Sequence, residues 1–430
     1  MALLVVWASF FAATASANNS FVAGADASLL SYFESNGISY QSNGQAEDAL
    51  AILKSRGLNC IRLRLFTSSA AQAAADPYNY INNLAYTVPL AARVKQAGLK
   101  FMLDFHYSDT WADPGHQATP SAWTNLSFTE LVAQMRSYNS NCLAAFQAAG
   151  ALPDYVQVGN EITGGMLWTN GAVPGNDAAL QWPKFAQLLN AAIQGIRDAA
   201  GSQMPQIVIH IDRGGDWPTT QWFFDNLIQN QHVQFDIIGE SYYPFFQGSL
   251  GGLANCLTNA AQRYGKPIFV AETAFPWTNS NWTTNLYGFP GTTNGQAAYT
   301  IALVQTVKNV PHNLGAGIFW WGAEYQYLNG VNEAGYNTSS FFDAHGNVLP
   351  AAGVLGQSAA PLWLRASAAG TNISLQWPLS GAGLGLTTTT SLSPTATWVP
   401  ADLPVQSTGT LYRASLPLAG TNRFYRLQSN

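Results

Sequence analysis

Eight short apolar runs, each separated from the next by a longer stretch with helical character, constrain this chain more than any other feature. The runs lie at 21–24, 60–65, 100–105, 155–158, 207–211, 237–239, 268–271 and 317–320. Helical segments between them include 45–56, 88–97 and 184–199. In the first of these, Leu50, Leu53 and Lys54 have the spacing of a helix laid on a sheet. Gly57, Gly98, Gly150, Gly201 and Gly265 follow such segments, where a helix C-cap favours glycine. Eight β-then-α units predict an α/β fold of the (β/α)8 TIM-barrel type. A doubly wound open sheet is the alternative, but no GxGxxG follows the first strand.

The pattern changes after Pro350. Residues 351–360 are small and read as a linker. Residues 361–430 carry no helical period, and 373–377 and 423–427 alternate as strands do, which predicts a small all-β C-terminal module of unknown role. At the other end, residues 1–17 hold an apolar run closed by Ala15-Ser16-Ala17, a small-x-small site ahead of Asn18. This reads as a signal peptide cleaved near Ala17, too short to span a bilayer, with a secreted mature chain of which 18–350 is the barrel.

Charge narrows the partners. Only 10% of residues are charged, against about 25% in ordinary domains, and the net charge is −5. No basic stripe is present, so a nucleic-acid partner is not expected, nor a membrane contact in the mature chain. A surface built from Asn, Gln, Ser, Thr and Gly suits a secreted protein that meets a neutral polar ligand, and a monomer is expected. The three cysteines, Cys60, Cys142 and Cys256, are an odd number and cannot form a full disulfide framework; at most one bridge is possible and none is expected, and Cys60 and Cys142 read as small buried hydrophobes. The six histidines do not cluster and no HExxH occurs, so neither a metal nor a cofactor is expected.

In a (β/α)8 barrel the reactive groups come from the C-terminal ends of strands. Three of the eight glutamates end strands: Glu161, Glu240 and Glu272. A carboxylate just beyond a buried apolar strand is costly unless it is paired or used. Glu161 and Glu272 end the fourth and seventh strands, which face each other across the barrel mouth. Two carboxyls flanking a glycosidic bond suit acetal hydrolysis, one as proton donor and the other as nucleophile. Arg62 and Arg64 alternate on one strand face, which is expected to turn both into the barrel; each reads as a structural partner of a carboxylate or as a group that keeps a site carboxylate ionised, the second reading being preferred for Arg62. His106 reads equally as a structural histidine or a substrate contact, and Asp109 as a loop cap or a contact. Trp111, Trp168 and Trp321 are candidate sugar platforms, because aromatic faces pack on the C–H faces of pyranoses. Trp123, Trp182 and Trp222 read as core.

The run Asp104-Phe105-His106-Tyr107-Ser108-Asp109-Thr110-Trp111-Ala112-Asp113-Pro114-Gly115 resembles the signature of family-53 glycoside hydrolases, the arabinogalactan endo-β-1,4-galactanases of clan A. So do Val156-Gln157-Val158-Gly159-Asn160-Glu161-Ile162, Arg62-Leu63-Arg64 and Ser241-Tyr242-Tyr243-Pro244-Phe245, and the resemblance runs from about Phe21 to Leu349. It implies a retaining enzyme acting on the neutral β-1,4-galactan chains of pectin, with Glu161 as acid/base and Glu272 as nucleophile. It further implies that Asn160 binds the sugar 2-hydroxyl, that Arg62 and Tyr243 sit beside the nucleophile, and that Trp321 floors the reacting subsite. His106, Asp109 and Trp111 complete the expected substrate contacts. The chain departs from the family at Glu240, at Gly322-Ala323-Glu324 and at Asp212-Arg213-Gly214-Gly215, which touch loops and subsite walls. Some bacterial members hold calcium in a late loop, and residues 280–300 carry no matching acidic cluster, so no metal is expected. Two other readings stand beside this one: another clan-A β-glycanase acting on mannan or xylan, and a non-catalytic glycan-binding barrel. The DFHYSDTWADPG run favours the galactanase, because a generic barrel does not need it.

Overall fold

The computed structural model describes residues 21–173, 178–279, 285–331, 334–393, 395–408, 410–417 and 423–429. The leader segment expected at 1–17 lies outside them. Eight parallel strands close into a barrel: β1 (Val22–Asp26), β2 (Cys60–Leu65), β3 (Lys100–Phe105), β4 (Tyr155–Val158), β5 (Gln206–Ile211), β6 (Ile237–Ser241), β7 (Ile268–Thr273) and β8 (Gly315–Trp320). They are hydrogen-bonded in sequence order, and β1 pairs with β8 to complete the ring. The expected strands are all present, within two residues at each end, and the open-sheet alternative falls away.

Side chains alternate along a strand, so every second residue faces the barrel axis. One residue from each strand forms the apolar bottom of the interior: Val22, Cys60, Met102, Tyr155, Val208, Ile237, Phe269 and Phe319. The opposite faces bury leucine, isoleucine and valine against the outer helices. Cys60 and Cys142 are buried free thiols, as expected, and Cys256 is one as well. Trp123 and Trp182 are buried in the helix layer, and Trp222 packs against it.

Two local readings are corrected. The segment 45–56 is not helical throughout. Gln45–Glu47 pairs with Tyr40–Ser42 as a hairpin, and the helix is Ala49–Ser55 with Asp48 as its N-cap. The overlooked signal is Asn43-Gly44, both at positive φ (53° and 75°), the tight turn that joins antiparallel strands. Residues 351–360 are likewise not a free linker, because Pro350–Gln357 is an α-helix with proline in its first turn. Ala351, Ala352 and Leu355 are fully buried. Small residues that read as linker are there for close packing: a Cβ at Gly356 would lie 2.1 Å from the Arg56 carbonyl oxygen.

The C-terminal segment forms a four-stranded and a three-stranded antiparallel sheet around Ile373, Leu375, Trp377, Leu386 and Ala414. It rests on the barrel. Leu379 and Ala382 are buried in the barrel's hydrophobic cluster, and Lys308 Nζ donates to the Ser380 carbonyl at 3.1 Å.

Candidate active site

The strand register that fills the barrel bottom also builds the site. Two residues beyond the apolar layer, the inward positions of β2 to β5 are Arg62, Asp104, Gln157 and His210, all fully buried. Two residues further, Asp26, Arg64, His106, Asp212 and Ser241 face the mouth. Above them opens a cleft of about 600 Å³, lined by Glu161, Glu272, Asn160, Tyr243, Trp111 and Trp321 among others.

Glu272 reaches this cleft through an irregularity. Alternation from Phe269 would turn it outward. Instead β7 slips register against both neighbours between Val270 and Thr273, so that Ser241 pairs with Glu272 where Glu240 pairs with Val270. Such a bulge re-aims a side chain. Glu272 Oε1 lies 2.8 Å from Arg62 Nη2, and Oε2 accepts from Tyr243 Oη at 3.0 Å. Burial pushes its carboxyl up, Arg62 and Tyr243 oppose, Asp104 and Asp26 add to the rise, and it settles at about 7.

Glu161 follows Gly159 and Asn160 in a sharp exit from β4. Gly159 has φ +91° and a Cβ there would stand 2.6 Å from Ile162 Cγ2, so no other residue fits. Glu161 itself is left-handed at φ 50°, a conformation that costs a non-glycine residue about 1 kcal/mol or more. Its Oε1 accepts from Ser241 Oγ at 2.6 Å. Burial raises its carboxyl well above the ordinary range, and Glu272 and Asp212 raise it further. The two carboxyls therefore titrate as a pair in which Glu161 keeps its proton longer.

Arg62 is the hub. Nε donates to Gln157 Oε1 at 3.1 Å, Nη1 to Asp26 at 3.1 Å and Nη2 to Asn160 Oδ1 at 2.7 Å, while Asp104 lies 2.8 Å from Nη2. Arg64 bonds Asn82, Asp26 and Tyr325 and lies 4.2 Å from the Trp111 ring and 4.9 Å from that of Trp321. It supports the two indoles from below by cation–π contact. Asn160 also donates from Nδ2 to the Ala112 carbonyl, which leaves one amide hydrogen for a ligand.

Other expected contacts have different surroundings. His106 lines the cleft, with Nε2 3.0 Å from Asp104, and Nδ1 accepts from the Ala112 N–H at 2.9 Å, holding the loop that carries Trp111. Burial lowers its pKa, so it is neutral. Asp109 is not among the lining residues. Its carboxylate accepts from Thr67, Gln72 and the Ser121 N–H and ties the connection after β2 to the one after β3. Trp168 also lies outside the cleft lining, its indole donating to the Gly164 carbonyl. Asp26, Asp104, Gln157, His210 and Ser241 escaped the sequence reading. The available signal was a polar residue inside or ending an apolar strand, as in VAGAD, KFMLDF, YVQV and IVIHI.

A model of glycosyl hydrolase family 53 matches residues 22–355. The chain belongs to this family. An uncharacterized protein of Niallia circulans is 44% identical over 314 residues, covering 70% of this chain and 83% of that one. An arabinogalactan endo-β-1,4-galactanase of Thermothelomyces thermophilus is 35% identical over 308 residues, covering 69% and 88%. The family 53 catalytic domain of Ignisphaera aggregans superposes with a TM-score of 0.71 at 35% identity, covering 78% of this chain and 96% of that one. The protein is thus a glycoside hydrolase.

The departures from the family pattern now have places. Glu240, one residue out of phase with Ser241, points outward, away from the cleft, and accepts from the Arg213 N–H at 3.2 Å and Thr220 Oγ1 at 3.1 Å. It fastens the Asp212–Arg213 turn instead of joining the site. Glu324 is buried beside Asp26 and accepts from the Leu29 N–H at 2.8 Å. Burial raises its carboxyl to about 8, Asp26 contributing and Arg64 opposing. In the unfolded chain a glutamate titrates near 4.3. The native state therefore holds the extra proton between these values, and stability falls as pH rises through this window. The contribution is fully present below about 4.3 and lost above about 8, at no more than about 1.4 kcal/mol per pH unit. Melting temperatures of wild type and Glu324→Gln are expected to diverge accordingly: the wild type loses stability from pH 5 to 8, and the variant shows a flatter profile. Parallel profiles would contradict the assignment.

Proposed function

We propose that this family 53 hydrolase is a secreted, retaining endo-β-1,4-galactanase that cleaves the galactan chains of pectic arabinogalactan by double displacement. The observation that carries the reading is the unequal treatment of two carboxyls in one cleft. Glu272 is gripped by a guanidinium and a phenol, which favour its ionised form. Glu161 is buried beside other acids, which favours its protonated form. Glu272 attacks the anomeric carbon while Glu161 gives its proton to the departing glycosidic oxygen, forming a glycosyl ester. Glu161 then takes a proton from water, which attacks the same carbon and releases Glu272. Trp321 and Trp111 offer the sugar-stacking surface, and Asn160 the hydrogen bond to the 2-hydroxyl.

The substrate assignment leans on the T. thermophilus relative, an arabinogalactan endo-β-1,4-galactanase. Secretion leans on the leader-like residues 1–17 and the low surface charge. Among the described residues no helix is long and apolar enough to cross a membrane. Reducing-sugar release from galactan, arabinogalactan, mannan and xylan tests the reading. Galactan is expected to be preferred by at least tenfold, and a preference for mannan or xylan would overturn it.

Among the described residues, the β module contributes none to the cleft lining. Removal of residues 361–430, leaving the helix Pro350–Gln357 intact, is expected to keep turnover on short soluble galacto-oligosaccharides within a few-fold of the full chain. The melting temperature should fall, because Leu379 and Ala382 leave the barrel surface they cover. A truncated protein that folds yet loses most turnover would make the module part of the cleft.

A further inference from the structure

Ser241 and His210 are fully buried and take no part in the two displacement steps. Ser241 Oγ stands 2.6 Å from Glu161 Oε1 and 2.8 Å from His210 Nε2. A hydroxyl has one proton, so its direction depends on the histidine tautomer. The other ring nitrogen decides it. His210 Nδ1 is 3.0 Å from Gln157 Nε2 and 3.4 Å from the Glu161 backbone N–H, both donors. The acceptor nearby, Asn160 Oδ1 at 3.1 Å, already accepts from both Arg62 Nη2 and Gln157 Nε2, which fills its two lone pairs. Nδ1 is therefore an acceptor and the proton sits on Nε2. That N–H donates to Ser241, and the serine proton goes to Glu161 Oε1. Burial, with Arg62 nearby, holds the His210 pKa well below its usual value, in keeping with a neutral ring whose Nδ1 accepts.

We propose that Ser241, oriented by His210, is a positioning residue that keeps Glu161 Oε1 an acceptor and so confines the acid proton to Oε2, the oxygen left open to the cleft. Oε2 receives no hydrogen bond among the described residues, and Glu161 lines the cleft. The pair thus orients the proton toward the leaving group and returns Glu161 to its ionised form ready to accept a proton from water. This rests on Glu161 being the acid/base. The groups facing Glu161 are Glu272, Asp212, Asp113, Tyr243 and Tyr336, and those facing His210 are Arg62, Asp104 and His106.

The test is the pH dependence of kcat/KM for Ser241→Ala in the full chain, on galacto-oligosaccharides and on a dinitrophenyl β-galactobioside. On the oligosaccharide, kcat should fall roughly ten- to hundred-fold with little change in KM. The alkaline limb should move up by about one pH unit, because the carboxylate has lost a donor. On the dinitrophenyl substrate the first step, which needs no acid, should stay near wild type. Ser241→Cys, which keeps a weak donor, should fall between, and it carries the same measurement if the alanine variant folds poorly. Equal losses on both substrates with an unmoved alkaline limb would overturn the proposal and leave Ser241 a packing residue. Failure of the underlying reading shows up separately, as a Glu161→Ala variant whose loss does not depend on the leaving group.

Discussion

Replacing Glu272 with alanine is expected to lower galactan hydrolysis by roughly 10⁵-fold, because the attacking group itself is removed. The variant should still fold. Arg62 keeps Asp26 and Asp104 as partners, so no buried guanidinium is stranded. Added azide or formate should restore cleavage by entering the vacated space and attacking the anomeric carbon from the nucleophile's side. The product is then the α-galactosyl adduct, with Glu161 still protonating the leaving group. A β-adduct, or no rescue together with a native fold, would mean that Glu272 is not the nucleophile.

Glu161→Ala is expected to show a loss that depends on the aglycone. Without the acid, galactan cleavage should fall by about 10² to 10⁴-fold. A dinitrophenyl leaving group needs no proton, so its release should show a fast first turnover followed by slow hydrolysis of the glycosyl ester. Azide should then accelerate the second step and give the β-adduct, opposite to the outcome at Glu272. Swapped behaviour of the two variants would exchange the roles assigned to them.

The two carboxyls were legible because each stands where an apolar strand ends in a chain that has few charges. The barrel was legible for a related reason. Strands buried on both faces read as short continuous hydrophobic runs, and eight of them with helical spacers admit few architectures. What the sequence concealed was phase. Glu240 and Glu272 look alike as strand-ending acids, yet one faces the helices and the other the cleft. The difference is a bulge on β7 that no residue type announces. The polar interior layer of Arg62, Asp104, Gln157 and His210 follows the period-2 register from Cys60, Met102, Tyr155 and Val208, and becomes visible once those four are known to face inward. Asp109 was misleading because it lies in the same motif as Trp111, although its carboxylate binds loops. Residues 351–360 misled because alanine and glycine serve close helix packing as readily as they serve linkers.

The central claim is that Glu161 and Glu272 act together with net retention on β-1,4-galactan. Proton NMR of the anomeric region during the first minutes of galactan digestion tests it most directly, before mutarotation mixes the products. Retaining enzymes place their carboxyls about 5 to 5.5 Å apart, and inverting ones leave about 6.5 Å or more for a water. The account predicts that the β-anomer of the new reducing end appears first, with the α-anomer growing in at the rate of mutarotation. An α-anomer formed first would contradict it.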